Sequence, residues 1–296
     1  MHSISVCICT YKRPTLLLQL LDKLSNQTTE GLFNYSIVIV DNDIAQSAIN
    51  KVADFKSRSI IHTKYCVEPR QNIALARNMA LEKADGDFIA LIDDDESPDE
   101  DWLCNLYKSI ESHNVDGVLG PVKPCFEDDP PDWVTNGKFF DRPTHETGYR
   151  IGLSDARTGN VLFRRRILNG VVSPFLEKFG TGGEDVDFFQ RMMEKGFVFV
   201  WCNEAVVYES VPLSRCTRGS LLRRALLRGR NSLKLNTSYS RKLIKSIIAL
   251  PVYSLALPFL FIAGDHHFMK YMIKFCDHAG RLLALLKLNP VKERTL

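Results

Sequence analysis

No C-x-x-C pair occurs among the eight cysteines of this 296-residue chain, which argues against a zinc site built from paired thiolates. Cys7 and Cys9 alternate along an apparent strand and are expected to share one face in the core. The first residues, Met1-His2-Ser3-Ile4-Ser5-Val6, lack the charged and long apolar regions of a signal peptide. With scattered cysteines, this leads to the expectation of a reducing, cytoplasmic setting. No internal repeat and no low-complexity tract is present. Nor is there a G-x-x-x-x-G-K-[ST] loop, and the glycine run Gly180-Thr181-Gly182-Gly183-Glu184-Asp185 fails G-x-G-x-x-G at its sixth position. Both absences count against P-loop and dinucleotide-binding readings.

What is present is an ordinary globular composition, 45% apolar and 25% charged, with an uneven charge distribution. Residues 215–296 carry 16 Lys and Arg against three Asp and Glu, whereas residues 1–214 are net acidic. An acidic body with a basic tail suggests that the tail meets an anionic surface.

Strand-like runs at 4–10, 35–40, 60–67 and 87–92 alternate with helical patterns at 13–24 and 71–84. That β-α-β-β-α-β order predicts an α/β fold with a mostly parallel, doubly wound sheet flanked by helices. A helix is expected at 101–113 and a strand at 117–122. An irregular, proline-bearing stretch over 123–155 follows, of a length that suits an acceptor-side lid. Structure resumes at 160–165, with a helix at 184–195 and strands near 197–202 and 205–209. The predicted catalytic domain is 1–214. The tail, 215–296, starts with an arginine-dense helix at 221–235 and continues with 19 uncharged residues, 246–264. At about 1.5 Å per residue such a helix just matches the hydrocarbon thickness of a bilayer. Pro251 and Pro258 would kink it, and basic residues flank both sides, so a broken, monotopic insertion is expected. A single span and a buried soluble helical pair stay open. An amphipathic basic helix at 268–288 fits a membrane interface.

Four clusters carry chemistry. Thr10-Tyr11-Lys12-Arg13-Pro14 and Asp41-Asn42-Asp43 follow the first two strands and meet at one sheet edge, where they are otherwise ordinary turn residues. Glu68-Pro69-Arg70-Gln71-Asn72 leads into Ala76-Arg77-Asn78, and an arginine there suits a diphosphate as readily as solvent. Asp93-Asp94-Asp95-Glu96 follows the apolar run Phe88-Ile89-Ala90-Leu91-Ile92. Asp93 and Asp95 bracket one residue and can reach one hard cation, Mg²⁺ or Mn²⁺, that bridges phosphates. Glu184-Asp185-Val186-Asp187 opens a helix, whose dipole favours ionised carboxylates.

In order and spacing these segments, with Thr158-Gly159-Asn160, resemble the family 2 glycosyltransferases of the GT-A fold, bacterial polysaccharide-biosynthesis type, over roughly residues 3 to 235. The resemblance implies inverting transfer of a sugar from a nucleotide-sugar donor, most often a UDP-sugar, to a saccharide or lipid-linked saccharide. It implies that Thr10 and Asp41 hold the nucleoside, with Arg70 or Arg77 near uracil or diphosphate. Arg13 and Asp94 join this donor-binding set, though Asp94 is expected to face away from the metal. Asp93 and Asp95 would form the Asp-x-Asp pair for ribose and metal-bound diphosphate. Asp185 would be the base and Glu184 an acceptor contact, with Arg224 or Arg228 near the leaving diphosphate. Where many relatives carry a third metal ligand, a histidine, this chain reads Val207-Tyr208-Glu209, which makes Glu209 the candidate. The Gln-x-x-Arg-Trp motif of processive synthases is absent, which points to single-sugar addition. The implied location is the cytoplasmic face of the inner membrane, peripheral or monotopic, against its inner leaflet.

A nucleotidyltransferase of related fold is the nearest rival, but Thr10-Tyr11-Lys12-Arg13-Pro14 lacks the glycines its first loop needs. A non-catalytic membrane-bound nucleotide-binding protein is the other alternative, and the two intact carboxylate pairs speak against it. Nucleic-acid binding by the basic tail is not expected, because no aromatic platform is interleaved with its charge.

Overall fold

A computed structural model describes residues 1–180, 182–233 and 239–288, with side chains from 243 in the last segment. Thr181 of the glycine run and the last two positions of the helix expected at 221–235 lie outside the described residues. In chain order the elements are β1 (His2–Thr10), α1 (Pro14–Leu24), β2 (Phe33–Asp41), α2 (Ile49–Arg58), β3 (Thr63–Val67), α3 (Ile73–Lys83), β4 (Phe88–Ile92), β5 (Glu96–Pro98), α4 (Trp102–Ser112), β6 (Gly117–Leu119), β7 (Val122–Phe126), α5 (Asp132–Gly137), β8 (Asn160–Arg164), α6 (Glu184–Glu194), β9 (Phe199–Trp201), β10 (Val207–Val211), α7 (Arg218–Asn231), α8 (Tyr239–Ala263) and α9 (Asp265–Leu285). They fall into two compact units, one of residues 1–123, 142–180 and 184–210, the other of 124–141, 181–183 and 211–296.

The first unit holds a seven-stranded sheet of order β3-β2-β1-β4-β8-β6-β9 among the described residues. All its pairs are parallel except those of β8, which runs antiparallel to β4 and β6. The mixed, mostly parallel sheet expected from the alternating pattern is therefore present. Side chains alternate between two cores, as the two-residue period of a strand requires. Ile4, Val6, Ile8, Phe88, Ala90 and Ile92 pack on one face with Leu17, Leu21, Trp102 and Leu106 from α1 and α4. Cys7, Ile89 and Leu91 pack on the other with Ala76, Ala80, Phe188 and Phe189 from α3 and α6.

Several local readings change, among them that of 123–155, which holds most of β7 and all of α5. The helix α2, not anticipated in the β-α-β-β-α-β order, buries only Val52 and Phe55 on an otherwise polar segment, so its apolar stripe was too thin to register. Ser97-Pro98, expected to start a helix, instead lies in β5, which pairs antiparallel with β10 and sets Glu96 opposite Glu209.

In the second unit α9 packs against both α7 and α8. Close approach to α7 needs glycine on both sides. A Cβ at Gly229 would fall 2.1 Å from the Asp277 carbonyl oxygen, and one at Gly280 would fall 2.3 Å from that of Leu226. α8 continues through Pro251 and Pro258 as one helix.

Asn160 is fully buried and ties three segments together. It accepts from Trp102 Nε1 at 2.8 Å and donates to the carbonyls of Pro121 at 3.1 Å and Ala205 at 2.7 Å. Asn160→Ala strands these buried groups and should lower the unfolding free energy of the full chain by about 3 kcal/mol in urea. A loss under about 1 kcal/mol would remove this tie from the account of the fold.

Candidate active site

Parallel pairing puts the C-terminal ends of β1, β2 and β4 along one edge, with Thr10 level with Asp41 and Cys7 level with Leu91. The acid run leaves β4 at that edge, and each of its carboxylates has a different neighbour. Thr10 Oγ1 donates to Asp94 Oδ2 at 2.7 Å. Arg13 Nη1 lies 3.0 Å from both Asp94 Oδ1 and Asp95 Oδ2. Glu96, almost fully buried, accepts from the Asp93 amide at 3.0 Å. Asp94 thus faces Thr10 and Arg13 within the loop, away from Arg77.

Arg77, on α3, joins this edge to the start of α6. Its side chain is 9% exposed, and its guanidinium pairs with Glu184 through Nη1 and reaches Asp93 Oδ1 through Nη2 at 3.0 Å. The other oxygen of Glu184, Oε2, is buried without a hydrogen-bond partner among the described residues. α3 is fixed in turn by Asn72, its N-cap, which accepts from the amides of Ala74 at 2.9 Å and Leu75 at 3.4 Å. Asp185 lies half-buried in the first turn of α6, and its Oδ1 accepts from the Val186 amide at 2.8 Å. Gly182 and Gly183 precede it at φ of +119° and +95°, in the region that favours glycine. Gly159 leaves room for the acids, because a Cβ there would fall 2.5 Å from Glu96 Oε1 and 3.3 Å from Asp93 Oδ2.

The site is short of positive charge. Burial, reinforced by Asp93, pushes Asp95 up to about 6 and holds Glu96 well above the usual carboxylate range. Burial also raises Asp94 and Glu184, with Arg13 and Arg77 respectively opposing it. For Arg13, the pull of Asp94 and Asp95 outweighs the cost of its burial and raises its guanidinium.

Several expected roles meet a different geometry. Asp41, expected to hold the nucleoside, is fully buried and accepts from the Asp43 amide at 3.1 Å, the Ala48 amide at 2.9 Å and the Tyr65 hydroxyl at 2.8 Å. Both of its oxygens are engaged in shaping its own loop. Arg70 is largely exposed and folded back on Glu68, Nε to Oε1 at 3.0 Å. Glu209 comes near Asp95, as its backbone neighbour Ser210 donates to the Asp95 carbonyl at 2.8 Å, but its carboxylate pairs with Arg142. In the second unit, Arg228 is engaged twice by Asp277, at 2.9 and 2.6 Å.

Among the described residues no three His, Cys, Asp or Glu side chains form a ready cage for an ion. The donor set still suits Mg²⁺ or Mn²⁺. Such ions are held by one or two carboxylates plus substrate phosphate, and a cation would offset the cost of charging Asp95, which burial and then Asp93 raise. Asp93 and Asp95 are the residues that would hold it.

Sequence reading assigned no role to Glu96, Arg142 or Arg157. The guanidinium of Arg157 is lowered by burial and then by Arg142, and it feels both Asp185 and Glu96. Arg142 sits on the irregular stretch that suggested a lid and Arg157 just beyond it, where no periodicity singles them out.

A family model described as "Glycosyl transferase family 2" matches residues 5–172. The succinoglycan biosynthesis protein ExoM of Rhizobium meliloti (strain 1021) is 32% identical over 230 residues, 76% of this chain and 72% of its own length. The mannosyltransferase PcManGT of Pyrobaculum calidifontis, solved with GDP-Man and Mn²⁺, superposes with a TM-score of 0.66 at 18% identity, covering 97% of this chain and 88% of that one. Residues 1–349 of S. aureus TarS, solved with UDP-GlcNAc, superpose with a TM-score of 0.56 at 14% identity, over 98% of this chain and 93% of that one. At these identities the two structures establish a shared fold.

Two outcomes follow from the site's charge. Arg77→Gln leaves Glu184 and Asp93 without their cation and should cost roughly 3–5 kcal/mol of stability. Arg77→Lys, lacking the fork, should recover only part of it; full recovery would mean that charge alone matters. Asp95 has a folded value near 6 against an ordinary value of 3.8, so folding favours its protonated form. Its contribution is therefore most favourable below about pH 4 and is lost as pH rises through about 6. Asp95→Asn should stabilise the ligand-free protein by roughly 3 kcal/mol at about pH 7.5 and by almost nothing at about pH 4. A difference that does not change with pH would contradict this assignment.

Proposed function

The chain belongs to glycosyl transferase family 2, and from that premise we propose that it transfers one sugar from a nucleotide-sugar donor, a UDP-sugar in preference, with inversion at the anomeric carbon. The observation that carries the reading is the Arg77 bridge, which joins the Asp93 loop to the helix that begins with Glu184 and Asp185. Donor-binding and base-bearing carboxylates, some 90 residues apart in the chain, thereby belong to one site. The relatives' ligands support a nucleoside-diphosphate sugar but differ in base, UDP-GlcNAc in one and GDP-Man in the other, so uridine is the finer part of the proposal.

Thr10 and Arg13 lie at the donor edge beside Asp94 and Asp95. A divalent cation held by Asp93 and Asp95 would neutralise charge on the departing diphosphate. Asp185 takes the proton of the acceptor hydroxyl as that oxygen bonds to the anomeric carbon and the bond to the diphosphate breaks. The Oε2 of Glu184, without a hydrogen-bond partner among the described residues, is the proposed contact for an acceptor hydroxyl. One displacement converts an α-linked donor into a β-linked product.

The acceptor is proposed to be a saccharide or lipid-linked saccharide in cell-surface polysaccharide synthesis, following the printed role of ExoM. Membrane association is proposed through α8, where Leu243–Ala263 is long and apolar enough to cross a bilayer and only 11% of its most apolar window is buried. The reading of a fully buried helical pair loses its support there. The proposed location is the cytoplasmic face of the inner membrane.

Asp185→Asn removes the base but keeps the shape of the site. It should bind UDP within a few-fold of wild type while turnover with the preferred donor falls about 10²–10⁴-fold. Undiminished turnover would overturn Asp185 as the base.

A further inference from the structure

α8 and α9 enclose a pocket of about 390 Å³ lined by Lys245, Tyr253, Lys274, Asp277, His278 and Arg281. Three cations face one carboxylate, and that carboxylate is already held by the two bonds from Arg228. The wall behind is built from buried polar groups. Ser246 is fully buried and His278 is 6% exposed, with His278 Nδ1 2.9 Å from Ser246 Oγ. Arg281 Nη1 lies 3.1 Å from the same Nδ1, and Arg281 Nε donates to Ser232 Oγ at 3.1 Å. A donor on Nδ1 assigns the neutral imidazole with its proton on Nε2. Arg281 is thus fixed in place by neutral partners, which orient its charge without cancelling it.

The same helix carries an exposed apolar stripe at helical spacing, Ile244, Ile248, Val252, Leu255, Phe259 and Ile262, with Leu255 74% and Ile262 85% exposed. Lys245 and Tyr253 of the pocket alternate with the first residues of this stripe. A free anion would use the pocket but has no need of the stripe, whereas a phospholipid uses both. We propose that the pocket binds the phosphate headgroup of an anionic phospholipid while the α8 stripe sits among acyl chains. This rests on reading α8 as membrane-facing and goes beyond it, because it assigns the charge preference to one built site rather than to the basic tail at large.

The test is flotation of the full chain with phosphatidylcholine vesicles, with and without about 30 mol% phosphatidylglycerol. Wild type should bind both, about ten-fold more tightly with phosphatidylglycerol. Lys245→Gln with Lys274→Gln, two exposed positions whose change spares the buried network, should lose most of that gain, and so should Arg281→Gln. Lys270→Gln with Lys287→Gln, outside the pocket, should keep it. Equal loss in the two lysine pairs would reassign the gain to diffuse charge and overturn the pocket. Binding to both vesicles with no gain from phosphatidylglycerol would also overturn it and leave the membrane reading standing. No binding to either vesicle would overturn both. Saturable binding of inorganic phosphate that Arg281→Gln abolishes, without any phosphatidylglycerol gain, would give the site to a free anion.

Discussion

A single buried guanidinium organises the catalytic unit. Arg77 lies where β4 ends and α6 begins, and a charge this enclosed is tolerated only with carboxylates on its fork. That requirement places Asp93 on one side and Glu184 on the other, and Asp185 follows Glu184 on the same helical turn. The supporting shell serves the same end. Asn72 caps the helix that carries Arg77, and Gly159 has no side chain to intrude on Asp93 and Glu96. Burial, with neighbouring acids adding to it, raises Asp95, Glu96 and Glu184 alike. A protein optimised for stability alone would not keep these buried acids, and the proposed binding of a cation and a nucleotide diphosphate gives a reason to.

Much of this was legible in the chain. β1, β2 and β4 show in continuous apolar runs because strands covered on both faces bury every side chain. Their parallel order then determines which loops share an edge; the acid run was read from its place after such a strand, and Glu184-Asp185 from a helix start and the family resemblance. What was not legible depends on partners distant in sequence. Nothing local distinguishes an Asp41 that offers itself to a base from one saturated by Asp43, Ala48 and Tyr65. Glu209 reads as a ligand until Arg142, 67 residues earlier, is seen beside it. The helix α2 escaped because two buried residues in ten make too weak a stripe.

The C-terminal unit follows different rules. Its helices α7 and α9 touch through glycine, which lets their backbones approach closely. α8 meanwhile turns its largest apolar residues outward. In water such a face is a liability unless something covers it. The basic excess of the tail and the buried polar wall behind Arg281 give that face an anionic neighbour to meet, which joins the charge asymmetry of the sequence to a specific place in the fold.

The most direct test of the central claim, one displacement assisted by Asp185 at the Arg77-bridged site, is the anomeric configuration of the product. Purified full-length protein would be supplied with an α-linked UDP-sugar and acceptor, and the new linkage read by proton NMR coupling. The account predicts a β-glycoside. An α-glycoside, which requires retention and therefore a different chemical course, would contradict it.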